Sequence, residues 1–175
     1  IFAREMNLQL EKGSDFFRGT QYLIPGIRTI EQLPEVTRAS TDYRYTGPLL
    51  LDDDCIERIV NTINPRAMAR VAVERFCDGL RDRPLAFFTF GNFLVPTPEI
   101  RECIRRLLRH GIAVISTITI DSTTAAERLL YHHAPYLPMH YLSRRANLIV
   151  HQCGSATYQY AIEHETPTIT IGSGC

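Results

Sequence analysis

Short apolar runs separated by helical patterns constrain this chain more than any other feature. Leu85–Phe90 is apolar almost throughout, Ile112–Ile120 is apolar and β-branched, and Leu148–Val150 and Thr168–Ile171 are briefer versions. A strand with one wet face alternates apolar and polar side chains, so runs without alternation predict strands covered on both faces. Between the first two runs, Thr97-Pro98-Glu99 reads as a helix start: an N-cap hydroxyl, a proline at the first helical position and an acid in the first turn. Ile100, Ile104, Leu107 and Leu108 then share one face, and Gly111 closes the helix. A second cycle follows: a short helical segment over Pro138–Ala146, the strand Leu148–Val150, a helix over Tyr158–His164, then Pro167 and the strand Thr168–Ile171. The expected class is α/β, with a parallel sheet covered by helices.

The N-terminal part is less regular. Ile1–Glu11 has roughly helical spacing and stops at Gly13; Tyr22–Ile24 is short and apolar before Pro25-Gly26; Tyr43-Arg44-Tyr45-Thr46 alternates like a strand and ends at Gly47-Pro48. Asp52–Asp54 is expected to cap a helix from Cys55 and to be cap and linker rather than a catalytic carboxylate cluster. Ile56–Val60 and Ala67–Leu80 read as helical, with Pro65 as an entry residue.

Composition excludes several classes. The chain has 175 residues, and 45% are hydrophobic, enough for a core. Lys+Arg and Asp+Glu both number 19, so no cation excess is present to displace phosphate counterions, and a nucleic-acid partner is not expected. No run approaches the roughly 18 apolar residues of a membrane span, and no leader is visible. The chain opens at Ile1 in mid-pattern and is expected to be part of something longer. Cys55, Cys77, Cys103, Cys153 and Cys175 are scattered and form no C-x-x-C pair, which suits reduced thiols and predicts a cytoplasmic setting without a zinc site.

In parallel α/β sheets, ligands gather beyond the carboxyl ends of the strands. Two such ends are small and polar: Thr89-Phe90-Gly91-Asn92, and Cys153-Gly154-Ser155-Ala156-Thr157 just before a helix. Helix-start amides have unmet donors and partial positive charge, so the second end favours an anion, most often phosphate. Ser155 and Thr157 offer hydroxyls, and His151 or Gln152 a side-chain donor. Glycines that merely make a tight turn would give the same spacing. The loop is neither a Walker loop nor a G-x-G-x-x-G fingerprint. His132, His133, His140 and His151 lack metal-ligand spacing, and Glu163-His164-Glu165 sits at a helix end where neighbours are expected to diverge, so no metal is expected. Arg105, Arg106 and Arg109 read as a solvated helix face.

The segment Pro138–Thr157, followed by Pro167 and an apolar strand, resembles the C-terminal donor-binding domain of GT-B glycosyltransferases of the UDP-glycosyltransferase and macrolide-glycosyltransferase type. There a proline is followed by about a dozen residues, a His/Gly-rich turn ending in Thr, a helix, Gly-x-Pro and a strand. Leu85–Asn92 resembles the first strand of that domain, and Tyr43–Leu50 the segment leaving the acceptor domain. The resemblance implies a Rossmann-like three-layer domain, the C-terminal half of a GT-B fold incomplete at both ends. Residues 1–50 would be the end of the acceptor domain with its linker, and residues 51–175 the donor domain.

It further implies a nucleoside-diphosphate sugar, UDP- or TDP-linked, as substrate, with no cofactor, no metal and a small lipophilic or natural-product acceptor. Gly91, Asn92, Gln152, Cys153, Gly154, Ser155, Ala156 and Thr157 would hold the diphosphate; Pro138, Met139 and Tyr160 the nucleoside; His151 would stand behind them. Two positions depart from the family. Gln152 replaces its phosphate-contacting His and cannot carry charge, and Tyr160 replaces its ribose-binding Glu. The acceptor domain, with its catalytic base, would come from elsewhere in the protein or from a separate subunit. The Asp/Glu-Gln pair that grips the sugar would lie beyond Cys175, so this chain alone is expected to be inactive. An inactive homologue serving as a binding or scaffold partner, a GT-B sugar-nucleotide epimerase and a lipid-linked-sugar transferase are the alternatives.

Overall fold

The computed structural model describes residues 22–24, 43–48, 50–63, 70–90, 96–121 and 123–172. The chain divides into two compact units, Ile1–Leu49 and Leu50–Cys175. In the first, strands β1 (Tyr22–Ile24) and β2 (Tyr43–Tyr45) pair in parallel, Leu23 opposite Arg44. The helix expected over Ile1–Glu11 lies outside the described residues.

The second unit runs α1 (Asp53–Ile63), α2 (Arg70–Gly79), β3 (Leu85–Thr89), α3 (Pro98–Arg109), β4 (Ala113–Ser116), α4 (Ala125–Arg128), β5 (Tyr131–His133), α5 (Met139–Arg145), β6 (Leu148–His151), α6 (Ser155–Glu163) and β7 (Thr168–Thr170). Its five strands form one parallel sheet in the order β5-β4-β3-β6-β7. The α/β class read from the sequence is what the chain adopts.

Period-two geometry sends successive strand residues to opposite faces, and both faces are covered on β3, β4 and β6. The edge strand β7 departs from the expectation, since Thr168, Ile169 and Thr170 are all exposed, with no further strand beyond them among the described residues. Leu85, Phe87, Ala113, Ile115 and Ile149 pack with Val73 and Cys77 of α2, Leu142 of α5 and Ala161 of α6. Ala86, Phe88, Val114 and Val150 pack with Ile100, Ile104 and Leu108 of α3. Helices on either side of the sheet make the three layers.

Three local expectations change. The strand expected over Ile112–Ile120 ends at Ser116, whose Oγ accepts the Ile118 amide at 2.9 Å and turns the chain away. Thr97 does occupy the N-cap of α3, but its side chain makes no cap bond to the helix amides. The sequence reading passed over α4 and β5, although Thr124-x-x-Glu127 is a capping box: Glu127 N–H donates to Thr124 Oγ1, and Thr124 N–H donates to the Glu127 carboxylate at 2.7 Å. His132 and His133 sit on β5, with the His132 ring 5.3 Å from that of Phe76.

Candidate donor site

The strand order places a crevice by itself. From β3 the chain adds β4 and β5 on one side, then crosses back to add β6 and β7 on the other. The reversal falls between β3 and β6, and helices leaving the carboxyl ends of these two strands diverge to opposite faces. At that end Thr89 pairs with His151. Beyond β3, residues 91–95, with Gly91 and Asn92 among them, lie outside the described residues; those beyond β6 are described through the start of the next helix.

β6 ends at His151, and Gln152–Gly154 turn the chain into α6. Helix α6 begins at Ser155, three residues before the expected start at Tyr158, because Gly154 takes the N-cap position: its carbonyl accepts the amides of Thr157 (3.0 Å) and Tyr158 (3.3 Å). Ser155, Ala156 and Thr157 thus form the first helical turn rather than a loop before it. The amides of Ser155 and Ala156 make no hydrogen bond among the described residues, and both residues are exposed. No side chain caps this end. Two free donors at the positive end of a helix dipole are what an anion requires.

The turn is shaped for close approach. Cys153 has φ +69°, a left-handed conformation that costs an L-residue about 1 kcal/mol. Gly154 has an ordinary φ of −63°, and a Cβ there would meet only Thr157 Oγ1, at 3.7 Å. The protein's own packing does not require glycine at that place. Beneath the turn, His151 is 1% exposed. Its Nδ1 accepts the Cys153 amide at 3.0 Å, which puts the proton of the neutral ring on Nε2. That Nε2 is buried and has no partner among the described residues. Burial pushes the His151 pKa down, so the ring is neutral near pH 7.

The remaining expected residues separate into two groups. Pro138 is the N-cap of α5 and is fully buried, and Met139 packs against the core. Nothing in Pro138 itself caps the helix; Asp53, only 4% exposed, does so from α1, accepting the amides of His140 at 3.0 Å and Tyr141 at 2.7 Å. Asp52 caps α1 itself, accepting the Cys55 amide at 2.7 Å. So the Asp52–Asp54 run does cap, but two helices rather than one.

Tyr160 is corrected. It is 3% exposed, and its hydroxyl accepts the Leu51 amide at 2.9 Å while donating to the Leu51 carbonyl. A phenol committed twice to the backbone has no proton left for a ribose. Its work is to fasten the start of this unit to α6.

Sequence reading also missed a cluster. His140, Glu163 and His164 bring one ligating atom each within 4.8 Å of one another, although Glu163 and His164 were expected to diverge. The signal was invisible along the chain because the packing of α5 against α6 closes a gap of more than twenty residues. Arg105, Arg106 and Arg109 meet the expectation of a solvated face, gathered around the exposed carboxylate of Glu102. Among the described residues, no helix is long and apolar enough to cross a membrane.

No protein-family model matches this chain, and no curated protein matches its sequence. Solved structures do match its fold. The spinosyn forosaminyltransferase SpnP superimposes with a TM-score of 0.57 at 15% identity, covering 98% of this chain and 40% of that one. The calicheamicin glycosyltransferase CalG4 gives 0.52 at 12% identity, covering 97% of this chain and 39% of that one. A UGT transferase from Siraitia grosvenorii in complex with UDP gives 0.57 at 14% identity, covering 87% of this chain and 38% of that one. The chain thus spans about two fifths of the length of each. Its fold is that of the Rossmann-like C-terminal domain of GT-B glycosyltransferases.

Proposed function

We propose that this chain is the donor-binding part of a glycosyltransferase that moves a sugar from a nucleoside diphosphate, of the UDP or TDP kind, to a small lipophilic acceptor. The observation that carries the reading is the pair of uncommitted amides of Ser155 and Ala156 at the sheet's reversal point, in the turn that follows His151. The donor's diphosphate would lie on those amides, with the Thr157 hydroxyl and the Gln152 amide beside it; Gly91 and Asn92 would close over it from β3. As the glycosidic bond breaks, the leaving nucleoside diphosphate gains charge, and fixed dipoles aimed at that charge lower the barrier. Helix dipoles and hydroxyls do this without a metal, so the reaction is proposed to be metal-independent. Met139, half-buried beside the fully buried Pro138 and held by the Asp53 cap, would flank the base. The acceptor and catalytic base would come from a partner domain or subunit, and the setting would be cytoplasmic.

Calorimetry of the chain with UDP, TDP and GDP against their monophosphates tests the reading. At least one diphosphate should bind more tightly than its monophosphate, because the second phosphate meets the amides. Absence of binding to all of them would defeat it. A second reading, a homologue that has lost transfer and serves as a binding partner, is favoured by Gln152 and by the commitment of Tyr160 to Leu51. Gln152→His separates the two: restored charge at a working site tightens UDP binding, whereas a site no longer used for nucleotides gains nothing.

A further inference from the structure

We propose that His140, Glu163 and His164 form a binding site for a divalent transition metal of the zinc class, where α5 begins and α6 ends. Two imidazole nitrogens and one carboxylate oxygen are the ligand set of a borderline cation, not of magnesium or calcium, which take oxygen. The three ligating atoms lie within 4.8 Å of one another. Tetrahedral coordination at about 2.0–2.2 Å needs separations of about 3.3–3.6 Å, so the widest pair must draw in by up to about 1.2–1.5 Å, within the reach of side-chain torsions. The two rings stand nearly perpendicular, 70° apart, with centroids 4.9 Å apart.

Two independent features fit a cation there. The Nε2 of His164 is buried without a hydrogen-bond partner among the described residues, an orphan that a metal would satisfy. His164 is the C-cap of α6, the negative end of that helix dipole, while Asp53 offsets the positive end of α5 beside His140. The charge of Glu163 and Asp53 favours a cation beside His164, and that of Arg144 opposes it. Tyr160 stands 6.2 Å from His140, ring to ring, but its hydroxyl is taken by Leu51 and adds no ligand. Three protein ligands leave a fourth position for water, and the bound metal would tie α5 to α6 directly under the Pro138 segment.

The site does not depend on the donor reading. The test is Zn2+ titration of the EDTA-treated chain at pH 7.5 by calorimetry, with Co2+ absorption as a second readout. One saturable site is expected, unaffected by excess Mg2+, with a rise in Tm on loading and cobalt d–d bands lacking thiolate charge transfer. His140→Gln, His164→Gln and Glu163→Gln should each weaken Zn2+ by at least about tenfold. Glu163 is exposed, so its variant is expected to fold even if a histidine variant does not. Exposed Cys103 and His133 lie outside the cluster, and Cys103→Ser and His133→Gln should leave the affinity unchanged. No saturable binding, binding that survives Glu163→Gln and His140→Gln, or binding lost in a cysteine variant would each overturn the proposal. Nucleotide binding remains a separate measurement in all these cases.

Discussion

Replacing Asp53 should damage this protein more than its place in an acidic run suggests. Its carboxylate accepts two amides, at 3.0 and 2.7 Å, from the first turn of a helix only seven residues long. Helix α5 has no side-chain cap of its own, and Asp53 is 4% exposed, so water cannot easily take the vacated place. An ordinary N-cap is worth about 1 kcal/mol. Two charge-assisted bonds in a buried setting are worth more, and stranding both amides brings Asp53→Ala to about 2–4 kcal/mol. Asp53→Asn keeps one acceptor oxygen and should cost about half as much. The neighbouring Asp54 is the control: its side chain is 76% exposed and pairs with Arg70, so Asp54→Ala should cost under about 0.5 kcal/mol. The chain has no Trp, so urea unfolding is best followed by far-UV circular dichroism. At a typical slope of about 2 kcal/mol per molar urea, Asp53→Ala shifts the midpoint by about 1–2 M. A shift no larger than that of Asp54→Ala would mean that the carboxylate does not hold α5. Because α5 opens with Pro138 and Met139, the same variant should also weaken UDP binding.

At the donor site, Thr157→Ala should weaken UDP by about 1 kcal/mol, roughly fivefold, and leave UMP almost unchanged; equal affinities for wild type and variant would place the phosphates elsewhere. Tyr160→Phe should cost about 1–2 kcal/mol of stability by releasing Leu51, with UDP affinity unaltered; a loss of affinity instead would return this tyrosine to the ribose. Acid should destabilise the fold above the usual carboxylate range. Burial lowers the pKa of His132 and His151, while the unfolded chain titrates near about 6.5. The unfolded state therefore binds more protons as pH falls. Stability should be flat above about pH 7.5 and decline below about 6.5, by at most about 1.4 kcal/mol per pH unit for each histidine. Urea midpoints that stay constant from pH 7.5 to 5.5 would show that these rings are not held neutral. Glu99, Glu102 and Glu127, whose pKa values are lowered by hydrogen bonds, add their losses only at lower pH.

The legible parts of this chain were those written in local chemistry. Ile100, Ile104 and Leu108 announced a buried helix face, and Leu85–Phe90 a strand covered on both sides; all of these side chains except Thr89 lie in the core. The turn after β6 was legible for the same reason, since small residues before a helical pattern leave amides open. Its boundary was misread by three residues because Gly154, Ser155 and Ala156 carry no periodic apolar signal, and a helix start without one is found only from its hydrogen bonds. The helix α4 was missed although its capping box stood in the sequence, because four residues have no room for amphipathic repetition.

Sequence alone determined the alternation of strand and helix, the two-sided burial of the central strands and a turn of small residues leading into a helix after β6. Each rests on residues within one or two turns of one another. Tertiary structure decided everything that needed distant residues to meet: the order β5-β4-β3-β6-β7 that puts the crevice beside His151, the Asp53 cap on α5 across 87 positions, the bond from Tyr160 to Leu51 across 109, and the convergence of His140 with Glu163 and His164. A side chain's type fixes which bonds it can make, but a buried donor or acceptor takes whichever partner the packing of the core brings within 3 Å of it.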